Sequence, residues 1–207
     1  MSNIVITISR EFASGGHEIA KILSKNMGIK MYDKEILDLA AEKSGLDSSI
    51  IEHYDEKPTN SFLYSLSLGG HSYESIVAGV PNLPLIDKVF SVQTEIIRNA
   101  AKSESCVIVG RCAESILREQ SNVLSVFIHA DIELRARRVA EFENITYNKA
   151  YDIVKKSDKR RASYHNYFSD SKWGDARSYD LCINSEIGTQ KAAELIQFYA
   201  EKLLNKQ

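Results

Sequence analysis

The stretch IVITISREFASGGHEIAKILSKNM, residues 4–27, constrains the possible folds of this chain more than any other. Ile4, Val5, Ile6, Thr7 and Ile8 form a β-branched run suited to a strand buried on both faces. Ile19, Ala20, Ile22, Leu23 and Met27 then recur at helical spacing. Between them lies a small-residue turn from Ser9 to Gly16. A strand-turn-helix unit of this kind gathers backbone N–H groups beside the positive end of the helix dipole, where a phosphate is well held. The usual phosphate loop, GxxxxGK[ST], adds a lysine for the outer phosphates and a hydroxyl for magnesium. With Gly15 laid on its last glycine, Arg10 stands at the first glycine, Gly16 at the lysine and His17 at the hydroxyl position. The loop alone leaves two readings open: a phosphate site, or a glycine turn that lets a helix pack closely on a strand.

Further apolar runs at residues 29–32, 106–109, 123–130 and 179–184 read as strands and alternate with helical patterns. Five such runs imply βαβ units and a parallel sheet with helices on both faces. Gly28 and Gly45 are expected to stop the first two helices, and Asp33, Asp47, Asp131, Thr146 and Thr189 are candidate N-caps. Asp33 has a second reading, as a polar group presented from a strand end toward a ligand. Arg111 follows Gly110 at the carboxyl end of the third strand, where open parallel sheets bind ligands. It is a candidate anion contact, with a plain surface arginine as the alternative.

Lys155, Lys156, Lys159, Arg160 and Arg161 fall within seven residues, with Asp158 among them. A solvated helix face or a nucleic-acid patch would show the same run. Five cations and one carboxylate match a triphosphate better than a polymer, which calls for a longer basic tract. From Tyr54 to Pro84 the periodicity breaks under repeated Pro and Gly, which predicts either an inserted substrate-side element or a loop with no role in binding.

Charged residues make up 26% of the 207, hydrophobic ones 43%, and the formal net charge is −2, so the expectation is one ordinary globular core with an insertion. Three cysteines, Cys106, Cys112 and Cys182, never spaced as CxxC, argue against a disulfide framework or zinc ribbon. The histidines at 17, 53, 71, 129 and 165 show no metal-ligand spacing, so no structural metal is expected. No basic segment followed by an apolar core opens the chain, and no apolar run approaches the ~20 residues of a membrane helix. A cytoplasmic protein is expected.

In order along the chain, ISREFASGGHEIA, MYDKEIL, VIVGRCAESIL, FIHADIELRARRVAE, SDKRRASYHNYF and WGDARSYDLCIN resemble the successive blocks of the cytidylate kinase-like group of P-loop nucleoside monophosphate kinases. That group has a variant phosphate loop, in which a glycine also stands where the superfamily lysine would be. The resemblance implies a three-layer P-loop kinase fold over residues 1–207, with a five-stranded parallel sheet in the order 2-3-1-4-5. It also implies an acceptor-binding insertion at about 54–88 and an arginine-rich lid at about 155–175.

By the same resemblance, Ser14, Gly15, Gly16, His17 and Arg138 belong to the donor nucleotide, and Asp33 and Arg111 face the acceptor. Asp158, Arg160 and Arg161 belong to the donor and lid side, and Arg10, the one cation within the turn itself, is the candidate to supply the charge that Gly16 cannot. The implied reaction moves the γ-phosphoryl of ATP or GTP, with Mg2+, to CMP or a similar small acceptor. Partners are then nucleotides and small molecules, with neither a nucleic-acid polymer nor a membrane involved. The alternative is a nucleotide-binding regulatory module that keeps the fold without turnover.

Overall fold

The computed structural model describes residues 3–54 and 84–204. Most of the expected acceptor-binding insertion, including Phe62, Leu63, Tyr64 and Tyr73, lies outside the described residues. Strands β1 (Val5–Arg10), β2 (Lys30–Tyr32), β3 (Cys106–Val109), β4 (Val123–His129) and β5 (Leu181–Asn184) form one sheet in the order β2-β3-β1-β4-β5. Every pairing is parallel, with β1 in the middle between β3 and β4. The expected architecture and strand order are those observed.

Helix α1 (Gly16–Met27) follows β1 directly. Then come α2 (Glu35–Ser44), α3 (Ser48–Tyr54), α4 (Leu85–Ser103), the short α5 (Ala113–Ile116), α6 (Ile132–Glu143), α7 (Tyr147–Phe168) and α8 (Thr189–Leu204). Alternation along β1 divides the core between two faces of the sheet. Ile4, Ile6 and Ile8 pack with Ile19 and Leu23 of α1 and Ala192 and Ile196 of α8. Val5 packs on the other side with Ile36 of α2, Ile97 of α4 and Leu117. A smaller cluster joins Val139 of α6 and Val154 of α7 to Phe12 and Ala13, so the α6–α7 pair leans on the turn after β1.

The helix boundaries follow the expected punctuation in part. Gly28 and Gly45 adopt left-handed geometry at the ends of α1 and α2. Asp131 caps α6, accepting from the backbone N–H of Glu133 at 2.8 Å. Asp47 accepts from Ser49 N–H at 2.8 Å. Thr146 stands at the cap position of α7, but its hydroxyl makes no capping bond. Thr189 is the first residue of α8 itself.

Asp33 does not cap α2, since Lys34 occupies that position and Asp33 turns its carboxylate to Arg111 and His17. Arg111 engages one oxygen of Asp33 and His17 the other, so the carboxylate is held toward these two side chains and away from the start of α2. The basic run of residues 155–161 lies in the middle of the 22-residue α7. No helix among the described residues is long and apolar enough to cross a membrane.

Candidate phosphoryl-transfer site

The turn after β1 carries the backbone geometry of an anion cradle. Ala13 at φ 59° and Gly15 at φ 85° are both left-handed, and α1 begins immediately with Gly16. The first N–H groups of a helix have no intrahelical acceptor, so those of Gly16, His17 and Glu18 point out of its positive end. Gly15 is confined further by Thr189, whose Cγ2 lies 3.0 Å from where a Cβ at residue 15 would stand. The Ser14 hydroxyl donates to Glu11 O at 2.9 Å, and the Ser14 carbonyl accepts from Ser185 Oγ at 2.5 Å. Ser185, the residue that follows β5, therefore buttresses the turn.

At Gly16, a Cβ would lie 2.7 Å from Arg10 Cβ and 3.0 Å from Arg10 Cγ. Any side chain at residue 16 would therefore collide with the root of the residue 10 side chain unless one of them shifts. Arg10, the last residue of β1, thus lies directly against the first residue of α1.

A second set of charges holds the turn in place. Arg135, only 3% exposed, donates to Ala130 O at 2.9 Å, Phe12 O at 3.1 Å and Asp158 Oδ2 at 2.6 Å, and pairs with Glu11 Oε2 at 3.3 Å. The other oxygen of Asp158 accepts from Phe12 N–H at 2.7 Å. Burial pushes the Glu11 carboxyl up from its ordinary value, against the opposing pull of Arg135 and of the Ala130 N–H. Arg138 donates to Ala13 O at 3.3 Å. Glu11, Arg135 and Ser185 thus belong to the site, although the sequence marks them only as helix, strand-end or turn residues.

At the carboxyl ends of β1 and β3, Arg10, Arg111 and Arg161 line one cavity together with Ser9, Gly110, Cys112, Tyr164, His165 and Trp173. Arg111 is 4% exposed and donates to Val109 O at 3.0 Å and Asp33 Oδ1 at 3.1 Å. It and Cys112 are both left-handed, a costly conformation for residues with a Cβ, and the surrounding packing holds them in it. Arg161 donates to Arg10 O at 3.3 Å and lies over the Phe12 ring.

Of the residues singled out from the sequence, Arg10, Arg111 and Arg161 meet in this cavity, with Asp33 behind Arg111. Ser14, Gly15, Gly16 and Arg138 form or flank the turn, and Asp158 ties α7 to it. His17 bonds Asp33 through Nδ1 at 2.7 Å and so faces the Arg111 side. Arg160 is exposed on the outer side of α7 and does not line the cavity.

Burial would raise the Asp33 carboxyl, but Arg111, Arg10 and His17 together hold it below its ordinary 3.8. A carboxyl with a depressed folded-state value stabilises above the unfolded value and loses that contribution as pH falls through the folded one. Asp33→Asn is therefore expected to be less stable than the parent at neutral pH, with the gap closing below pH 3.8. Urea midpoints across this range check it, and a gap that stays constant down to about pH 2.5 would remove the assignment.

A parallel sheet in this order, with a glycine turn and helix N-terminus after its central strand and arginines converging beside it, defines a P-loop kinase fold. More narrowly, the chain belongs to the Cytidylate kinase-like family, whose model matches residues 5–187, and is a kinase-type enzyme with nucleotide-binding architecture. It is 27% identical over 206 residues to a cytidylate kinase of Sulfurisphaera tokodaii, covering 98% of each chain. A crystal structure of an uncharacterized protein from Eubacterium ventriosum superposes at TM-score 0.71 with 33% identity, covering 96% of this chain and 99% of that one. Shikimate kinase from Bacteroides thetaiotaomicron shares the fold at TM-score 0.54 and 10% identity, covering 96% and 98%.

Proposed function

We propose that this protein transfers the γ-phosphoryl group of ATP or GTP to CMP or a similar small acceptor. The observation that carries the proposal is the meeting of Arg10, Arg111 and Arg161 in one cavity beside the Gly15–Gly16 turn. Phosphoryl transfer asks a protein for positioning and charge neutralisation more than for covalent chemistry, and three guanidiniums beside a helix N-terminus supply both. Membership of a cytidylate kinase-like family supports the same reaction class.

In this reading the N–H groups of Gly15, Gly16 and His17 hold the donor phosphates, with Ser14 shaping the turn and Arg138 flanking it. Arg10 supplies the charge that Gly16 cannot. Arg111, oriented by Asp33, meets the acceptor, and Arg161 bridges the two sides from α7. Asp158 positions the loop and Arg135 and touches no substrate. Arg160, one residue away on the outer face, takes the lesser part. The oxygens of Asp33 are held by Arg111 and His17, and those of Asp158 by Arg135 and the Phe12 N–H. Magnesium fits as a cation carried on the nucleotide phosphates with most of its water shell.

ADP release measured across a panel of nucleoside monophosphates and other small acceptors tests the proposal, with turnover expected for CMP. ATP with magnesium and CMP together are expected to raise the melting temperature more than either alone. Saturation at 100 times a dissociation constant adds about 2.7 kcal/mol. If no nucleotide at millimolar concentration shifts the melting temperature, the reading fails. Stabilisation without ADP release from any acceptor would point to the binding module instead.

A further inference from the structure

Beneath the three arginines runs a buried polar chain that the proposed transfer does not use. Glu114 and His165 have side chains only 5% and 4% exposed, and His165 Nε2 lies 2.7 Å from Glu114 Oε1. The second carboxylate oxygen of Glu114 accepts from the Ser9 hydroxyl at 3.0 Å. Beyond His165, Asn166 Oδ1 lies 3.4 Å from His165 Nδ1 and accepts the backbone N–H of Trp173 at 2.9 Å. Ser9, 5% exposed, donates its hydroxyl to the Glu114 carboxylate and so ties the end of β1 to the pair.

Each member of the chain sits beside one of the arginines. Ser9 precedes Arg10 on β1, Glu114 follows Arg111 by three residues, and His165 comes one turn after Arg161 on α7. The chain therefore joins the three walls that carry the three guanidiniums.

Apolar contacts already dock this end of α7. Phe168 stacks on Phe90 of α4 at 3.9 Å between ring centres, and the Tyr164 hydroxyl donates to Gln93 at 3.2 Å. Replacing a buried, mutually hydrogen-bonded pair by apolar residues of similar shape is often nearly neutral or stabilising, so the pair is a poor device for stability. Its better-attested use is to fix one register among several that apolar packing permits. We propose that Glu114 and His165 are positioning residues, which fix the rotation of α7 and so hold Arg161 in register with Arg10 and Arg111. This rests on the phosphotransferase reading above.

Trp173, the chain's single tryptophan, lines the same cavity and reports the docking without any turnover. The test compares the parent with Glu114→Leu/His165→Leu and with His165→Gln, which keeps a donor toward Glu114. The leucine pair is expected to melt near the parent temperature, while acrylamide quenching of Trp173 rises. Its kcat for ATP and CMP is expected to fall about tenfold or more, since small misplacements of positioned groups cost up to a hundredfold, with KM for ATP little changed. His165→Gln is expected to recover most of the loss.

Parent-like quenching and kcat in the leucine pair would overturn the proposal, as would a loss of kcat that merely follows a loss of melting temperature. If the leucine pair does not fold, the same readouts on Glu114→Gln, which removes the charge but keeps the shape, decide the matter. If the parent itself releases no ADP, the phosphotransferase reading fails, and Trp173 quenching alone then sustains or overturns the docking role.

Discussion

Arg10→Ala is expected to lower kcat for phosphoryl transfer about a hundredfold, the ~3 kcal/mol typical of a charged contact made chiefly in the transition state. The expectation follows from the exchange of positions between Arg10 and Gly16. Gly16 has no side chain, and a Cβ there would meet Arg10 Cβ at 2.7 Å, so this loop accommodates one cation and carries it on the strand. Gly16→Lys, which would rebuild the usual loop, is accordingly expected to reduce activity. It should also cost about 1–3 kcal/mol of stability, because Arg10 Cβ belongs to the rigid root of its side chain and cannot swing aside.

The double variant Arg10→Gly/Gly16→Lys removes the collision and is expected to exceed both single variants in kcat. Lys25→Ala, on an exposed position at the far end of α1, serves as the inert control. Parent-like turnover in Arg10→Ala, or a gain from Gly16→Lys alone, would refute the exchange. On the other side of the cavity, Arg161→Ala should fall with Arg10→Ala, whereas the exposed Arg160→Ala should change kcat much less.

Arg135→Ala is expected to destabilise the protein by about 3 kcal/mol, the lower end of the cost of breaking a buried pair, because Arg135 is buried but its two carboxylates are only partly so. Arg135 joins Glu11, Asp158 and the carbonyls of Phe12 and Ala130, so its loss strands two acids near each other and frees the turn after β1. At roughly 2–4 °C per kcal/mol for a domain of this size, the melting temperature should fall by about 10 °C. Arg135→Lys keeps the charge but lacks the planar fork that reaches several acceptors at once, and should recover only part of the loss. Calorimetry on the three proteins checks this. A change of less than about 1 kcal/mol, the usual level of a surface ion pair, would show that the network carries no structural weight.

The architecture was legible because it rests on local signals that agree with one another. A β-branched run such as Ile4–Ile8 can be little other than a buried strand, and Gly28 and Gly45 stop helices through their own left-handed geometry. Asp131 caps α6 with N–H groups two and three residues away. The spatial order of the strands came from the resemblance, since apolar runs do not say which neighbours pair. The turn between β1 and α1 was legible too, through Gly15, whose left-handed backbone favours glycine.

Which side chains enter the site depended on contacts between distant parts of the chain. Residues 155–161 offer cations around the whole helix, and successive residues differ by about 100° in direction, so periodicity could not choose between Arg160 and Arg161. The choice fell to the wall opposite α7, where the carbonyl of Arg10 and the ring of Phe12 receive Arg161. Asp33 abandoned its local cap for Arg111, 78 residues away, and Glu114 meets His165 across 51. Gly16 reads as a defect in the loop until Arg10 is seen filling its space. Short-range preferences are written in neighbouring residues, whereas a buried charge takes its partner from whichever element the finished packing brings alongside it.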